Sequence, residues 1–251
     1  MKKLIIAGIL GLLPALGLAS GGAHLESANI DPTDKASLQR GAKAYVDYCM
    51  GCHSLQYMRY NRMAEDLGIE EADLRKHFLL GDAKPGDLMT TAMRPEDGEK
   101  WFGVAVPDLS LVTRWRQPFM KPWESGADWV YTYLKGFYVD PARPYGVNNL
   151  AFPAVGMPHV LQGLQGIQEP VMGEKHGDAA AAVTGVKMVQ PGTLSAEQYD
   201  TLVRDLSNFL AYVGEPMKAE RQRLGWYVLA FLAFFFVVAY ALKKEYWKDV
   251  H

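Results

Sequence analysis

Cys49-Met50-Gly51-Cys52-His53 holds the only two cysteines in the chain. Two thiols at this spacing stand about one helical turn apart and can add to the two vinyl groups of a haem. A histidine directly after the second thiol is then set against the iron. Three other readings compete with this one. A structural zinc site needs four protein ligands, and no further cysteine exists. A thioredoxin-like dithiol sits in a βαβ setting, which this region lacks. A disulfide across two residues is possible, but it leaves His53 without a role. The motif therefore predicts one covalently attached haem c, bound through Cys49 and Cys52 with His53 on the metal.

Leading into the motif, Ser37 to Cys49 reads as a helix with Leu38, Ala42, Tyr45 and Cys49 on one stripe. Farther out, two apolar stretches frame the chain. The first begins Met1-Lys2-Lys3, runs apolar from Leu4 to Ala19 around Pro14, and ends on small residues. That is the pattern of an export signal, residues 1–19, cut after Ala19; the run is short for a membrane span. The second, Leu224 to Leu242, is 19 residues without a charge, about 28 Å as a helix and close to the thickness of a bilayer core. Trp226 and Tyr227 flank one end and Tyr246 and Trp247 the other, where aromatic rings favour the interface. Basic residues are balanced across this span: Lys218, Arg221 and Arg223 before it, Lys243, Lys244 and Lys248 after. Orientation therefore rests on the export signal. The reading is an exported domain over 20–223, a transmembrane helix over 224–242 and a cytoplasmic tail over 243–251.

Between residues 20 and 223 there are 21 basic and 26 acidic residues, which argues against nucleic acid and suits a basic protein partner. With 49% hydrophobic and 22% charged residues overall, the chain is expected to fold rather than stay disordered. The one low-complexity tract is Ala179 to Ala182. Glu70 to Leu80 is a candidate helix, and Pro85 to Pro122, rich in Pro, Gly and Trp, is expected as extended loops. Asp128 to Phe137 reads as a short helix carrying Trp129, Tyr131 and Tyr133. Asp140 to Pro158 reads as loop, and Val183 to Val189 as a strand in an ill-defined region, 161–193. The clearest soluble helix starts at the capping box Ser195/Gln198 and ends at Gly214 and Pro216.

An electron-carrying haem usually takes a thioether as its sixth ligand, because it favours the reduced iron. Among eleven methionines two stand out. Met157 lies in the stiff loop Phe152-Pro153-Ala154-Val155-Gly156-Met157-Pro158; Met188 lies seven residues before the last helix cap. On the residues alone both stay open.

Taken together, the export signal, Cys49 to Ser54, Pro107-Asp108-Leu109-Ser110, Phe152 to Pro158, the capped helix and the anchor closing on Tyr246-Trp247-Lys248 closely resemble the cytochrome c1 family. The resemblance covers essentially the whole mature chain and looks bacterial. It implies a mainly α, enlarged class I cytochrome c fold with long loops on one C-terminal transmembrane helix. It also implies the haem subunit of a dimeric ubiquinol–cytochrome c reductase (cytochrome bc1) complex. In that role the subunit takes electrons from a Rieske iron–sulfur protein and passes them to cytochrome c. Cytochrome b performs the quinol chemistry, and the haem domain lies on the periplasmic side of the inner membrane. By the same resemblance Met157 is the sixth ligand, Arg116 pairs with a haem propionate and the Pro107 carbonyl accepts a hydrogen bond from the His53 ring N–H.

One stretch departs from the family pattern. Where relatives carry a dense acidic run after the methionine loop, Leu161 to Glu169 is mostly glutamine and glycine. The acidic clusters here are Glu65, Asp66, Glu70, Glu71 and Asp73, and Glu96, Asp97 and Glu99; each is either a docking face or ordinary solvated surface. Two other functions remain on the residues: a stand-alone anchored carrier, and a haem enzyme such as a peroxidase, which would need an open sixth position.

The topology has a direct test. Mass analysis should find the mature N-terminus near residue 20. Protease added outside spheroplasts should digest the haem domain and spare a tag placed after His251. A digested tag would reverse the orientation.

Overall fold

The computed structural model describes residues 24–118, 121, 123–173 and 182–249. The expected export signal, most of the alanine tract and the last two residues of the tail lie outside them.

Helix α1, Lys35–Tyr48, begins where the Asp34 carboxylate accepts the Ser37 amide at 3.0 Å, satisfying one of the first-turn donors. Its buried face carries Leu38, Ala42 and Tyr45, the stripe expected from the sequence. After the motif, β1 (Leu55–Arg59) pairs antiparallel with β2 (Leu88–Met89), and α2 (Tyr60–Leu67) and α3 (Glu71–His77) lie between them. Pro85 to Pro122, expected as loop, instead contains α4 (Pro95–Phe102) and α5 (Val112–Trp115). The residues that read as breakers are α4's boundaries. Pro95 opens its first turn, where the missing N–H is not needed, and Gly103 closes it at φ 75°.

A capping box between Ser125 and Asp128 starts α6, Gly126–Lys135, two residues ahead of expectation. Phe137, expected in that helix, opens β3 (Phe137–Val139), which pairs with β4 (Val147–Asn149). A hairpin thus occupies part of the expected loop 140–158. A short helix, α7 (Gln162–Gln165), leads to β5 (Gly166–Met172), which pairs with β6 (Val183–Pro191). The expected strand Val183–Val189 lies within β6. The Ser195/Gln198 capping box opens α8, Ala196–Gly214, and α9 spans Lys218–Tyr246.

The core forms where α1 crosses α8. Tyr45 and Phe209 are both fully buried, with ring centroids 5.9 Å apart, each worth about 1.5–3 kcal/mol of burial. Leu38, Val203 and Leu206 fill in around them. Arg40 grips the buried Asp205 carboxylate through two nitrogens at 2.6 and 3.1 Å. Asn208 donates to the Asp31 carbonyl and to Ser37 Oγ at 2.6 and 3.0 Å. Polar bonds therefore fix the register of an apolar contact.

No residue of α9 is buried, although it carries Phe231, Phe234, Phe235 and Phe236 and reaches a mean hydropathy of 2.1. By length and composition it is apolar and long enough to cross a membrane, as expected of the 224–242 run. At its root Glu215 accepts from Arg114 of α5 at 2.5 Å and also pairs with Arg221 of α9, tying the anchor to the domain.

Close approach of α1 to α8 requires glycine at position 41: a Cβ there would overlap the Asp205 carbonyl and lie 2.7 Å from Phe209 Cβ. Gly41→Ala should therefore destabilise the domain by about 2–3 kcal/mol, lowering its melting temperature by roughly 5–10 °C. Gly86→Ala, with nothing within 4 Å, should stay within about 0.5 kcal/mol. Equal melts for the two variants would refute this account of the crossing.

Candidate functional site

The turn after α1 is held from both sides. The Cys49 and Met50 amides donate to the Tyr45 carbonyl, each at 2.9 Å, and the His53 amide donates to Cys49 O at 2.9 Å. Tyr45, whose phenol is pushed well above its usual range by burial, donates back to the His53 carbonyl at 2.6 Å. Thr91 Oγ1 donates to the Gly51 carbonyl at 2.9 Å. The motif backbone is thus rigid before any ligand enters.

A second segment is strapped against it. The Asp108 carboxylate accepts the amides of Gln56 and Ser110, both at 2.8 Å, and Leu109 N–H donates to the Ser54 carbonyl at 2.9 Å. Ser110 Oγ accepts the Tyr57 amide at 3.2 Å. These bonds set the Pro107 carbonyl 2.7 Å from His53 Nδ1. A carbonyl can only accept, so Nδ1 carries the proton and Nε2 keeps its lone pair. Burial lowers the His53 pKa against the opposing pull of that bond and of Asp108, so the ring is neutral at pH 7.

Met157 comes from irregular chain, and the β3–β4 hairpin supplies its scaffold. Asn149 is fully buried; its Nδ2 donates to the Tyr133 carbonyl at 2.7 Å and its Oδ1 accepts the amides of Ala151 and Phe152. Asn148 Oδ1 accepts the Ala154 amide at 2.8 Å, holding that residue at φ 63°, a conformation that costs a residue with a Cβ about 1–2 kcal/mol. The Tyr133 hydroxyl donates to Met157 Sδ at 3.3 Å. Met188, the rival on spacing, lies on β6 opposite Gln168 and is 41% exposed.

Cys49, Cys52, His53, Pro107, Arg116 and Met157 all line one cavity of about 570 Å³, within the size range of cofactor sites. The rest of the wall is mainly apolar, with Val104, Val106 and Leu109 on one segment and Leu206 and Leu210 from α8. Arg116 has no carboxylate partner among the described residues. Its guanidinium lies 4.3 Å from the Trp129 ring centroid and 4.9 Å from that of Phe152, and burial depresses its pKa. Trp129 stacks in turn on Tyr133 at 5.0 Å.

These residues fit a covalent haem. Both cysteines are unpaired, and burial first, then Cys52, pushes the Cys49 thiol up to about 12. His53 offers one free nitrogen, Met157 a soft sulfur, and Arg116 a cation in need of a carboxylate. Among the described residues no three His, Cys, Asp or Glu side chains cluster to hold a metal ion by themselves.

Sequence reading did not assign roles to Tyr133, Trp129, Asn148 or Asn149. The four-residue spacing of Trp129, Tyr133 and Phe137 was the available signal for the aromatic column; the asparagines gave none, because their partners follow no regular spacing. The acidic clusters are partly neutralised locally: Asp66 pairs with Arg62, Glu71 with Arg75 and Asp97 with Arg94. Glu96 and Glu99 are exposed on α4, whose Phe102 lines the cavity.

A model of the Cytochrome C1 family matches residues 26–250. The chain is 62% identical to the cytochrome c1 of Allochromatium vinosum, over all of both chains. It is 44% identical to a Nitrosomonas europaea protein named ammonia monooxygenase gamma subunit, over all of this chain and 99% of that one. It is 26% identical to the cytochrome c1 of Rhodobacter capsulatus, over 98% of this chain and 97% of that one.

Proposed function

The chain belongs to the cytochrome c1 family, and we propose that it is the electron-transfer subunit of a cytochrome bc1 complex, accepting electrons from a Rieske iron–sulfur protein and passing them to a cytochrome c. The family carries a covalently attached haem c, whose iron supplies a one-electron couple. In this reading Cys49 and Cys52 form the thioethers and His53 and Met157 are the two axial ligands. Pro107 fixes the tautomer of His53, and Arg116 binds a propionate through its planar fork. The observation that carries the proposal is that a neutral imidazole with one free nitrogen, a thioether and both cysteines line a single cavity.

The chain's own residues hold the site in place: His53 is fixed by the strap at Asp108, Met157 by the hairpin and Tyr133, and the wall between them is mainly apolar. Ligands that do not move between oxidation states suit a carrier, whereas a peroxidase needs an open position. We place residues 20–223 in the periplasm, the span 224–242 in the bacterial inner membrane and the tail 243–251 in the cytoplasm. By itself the subunit breaks no bonds; quinol oxidation belongs to the neighbouring cytochrome b in a dimeric assembly. Exposed Glu96 and Glu99 beside the cavity give a basic acceptor a place to dock.

Purification in mild detergent should recover this chain with a cytochrome b and a Rieske protein. Recovery of the chain alone, with its haem and full reducibility, would point instead to a stand-alone anchored carrier.

Ligand assignment is checked by a pair of variants. Met157→Leu should keep its haem on a denaturing gel but lose the sulfur-to-iron absorption band. Its midpoint potential should fall sharply, with every 59 mV worth about tenfold in a one-electron equilibrium. Met188→Leu should cost under about 1.5 kcal/mol of packing and leave the redox behaviour intact. The reverse pattern would overturn the assignment of Met157.

A further inference from the structure

Arg143 lies in the turn between β3 and β4. The turn is closed by its own backbone: Arg143 N–H donates to the Asp140 carbonyl at 3.0 Å, Gly146 N–H to the Arg143 carbonyl at 2.9 Å, and Asp140 N–H to the Gly146 carbonyl at 2.9 Å. From this fixed base the side chain crosses to the methionine loop. Its Nη2 donates to the carbonyls of Ala154 at 2.8 Å and Val155 at 3.2 Å. Ala154 is the residue held in the left-handed region at φ 63°, and Asn148 of the same hairpin holds its amide. One hairpin therefore grips a strained residue at both its amide and its carbonyl, three positions before Met157.

Among the described residues Arg143 forms no ion pair with a carboxylate, and its Nε is buried without a hydrogen-bond partner. The side chain also lines the same cavity as Met157 and Arg116. Hydrogen bonds from a charged donor are stronger than neutral ones, and two of them here end on backbone that no helix or strand restrains.

We infer that Arg143 is the positioning residue of the axial-ligand loop: it clamps the backbone at Ala154 and Val155 so that the Met157 sulfur stays on the metal instead of swinging clear. This rests on Met157 being the axial ligand, as proposed above. Loss of the clamp should change how often the loop opens while leaving the helices and the thioether attachment in place.

The test uses the full-length protein in detergent, with its haem attached, and imidazole as an external ligand competing for the sixth position of the oxidised iron. Apparent affinity scales with the fraction of molecules whose loop is open. Arg143→Leu should bind imidazole about tenfold more tightly than wild type, the effect of losing bonds to a charged group. Its sulfur-to-iron band should weaken, and the haem should remain on the chain in a denaturing gel. Arg143→Lys, which restores a charged donor, should recover part of the difference. Asn148→Ala, which frees the amide of the same residue, should shift binding in the same direction. If Arg143→Leu does not accumulate, Arg143→Gln is read in its place. Wild-type imidazole affinity in the Arg143 variant would overturn the clamp. Met157→Leu run in parallel separates the two readings. If it loses the band while the Arg143 variant matches wild type, only the clamp fails; if it keeps the band, the ligand assignment itself fails.

Discussion

An imidazole presents a lone pair to a metal only when its other nitrogen holds the proton, and in this chain His53 Nδ1–H donates to the Pro107 carbonyl at 2.7 Å, which keeps the proton on that nitrogen. The bond spans 54 residues, so a good part of the domain exists to make it possible. The Asp108 carboxylate fastens the Pro107 segment to the amides of Gln56 and Ser110, and Tyr45, buried under α8, fastens the other side at the His53 carbonyl. Remove either fastening and the ring is free to turn and to change tautomer. The apolar surroundings add to the effect, because burial lowers the His53 pKa and so favours the neutral imidazole.

The two candidate ligands are positioned by different means. His53 follows a helix and inherits its precision from the α1–α8 core. Met157 sits in chain with no regular structure, and its precision comes from side chains of a small hairpin: Asn149 and Asn148 from one strand, Arg143 from the turn. The aromatic column joins the two halves of the cavity. Arg116 lies over Trp129, Trp129 stacks on Tyr133, and Tyr133 reaches the methionine sulfur. The cation end and the sulfur end are thus in contact through packed rings as well as through the backbone.

What could be read in advance follows from how locally each feature is encoded. The Cys49–His53 motif, the Ser195/Gln198 capping box and the apolar run 224–242 are contiguous strings; the capping box opens α8, the apolar run lies within α9, and Cys49, Cys52 and His53 line the cavity. The helix over Pro95–Phe102 was not legible because Pro95 and Gly103, its boundaries, are also the commonest loop residues. The β3–β4 hairpin was missed since its strands are three residues each, too short to express an alternating pattern. Tyr133 reaches Met157 24 positions on, Asn149 Nδ2 reaches Tyr133 16 positions back and Asn148 reaches Ala154 6 positions on, through bonds that no local spacing announces. The family resemblance singled out Met157 where the residues alone left Met188 equal to it.

The α1–α8 crossing also has a consequence in time. Gly41 and Asp205, which meet there, are separated by most of the soluble domain, on the order of ten to thirty seconds of chain growth. Until α8 arrives, Tyr45 has no Phe209 against it, and the cavity lacks the wall that Leu206 and Leu210 provide. The cavity is therefore complete only once α8 has docked, so a change that loosens the α1–α8 crossing also loosens one wall of the site.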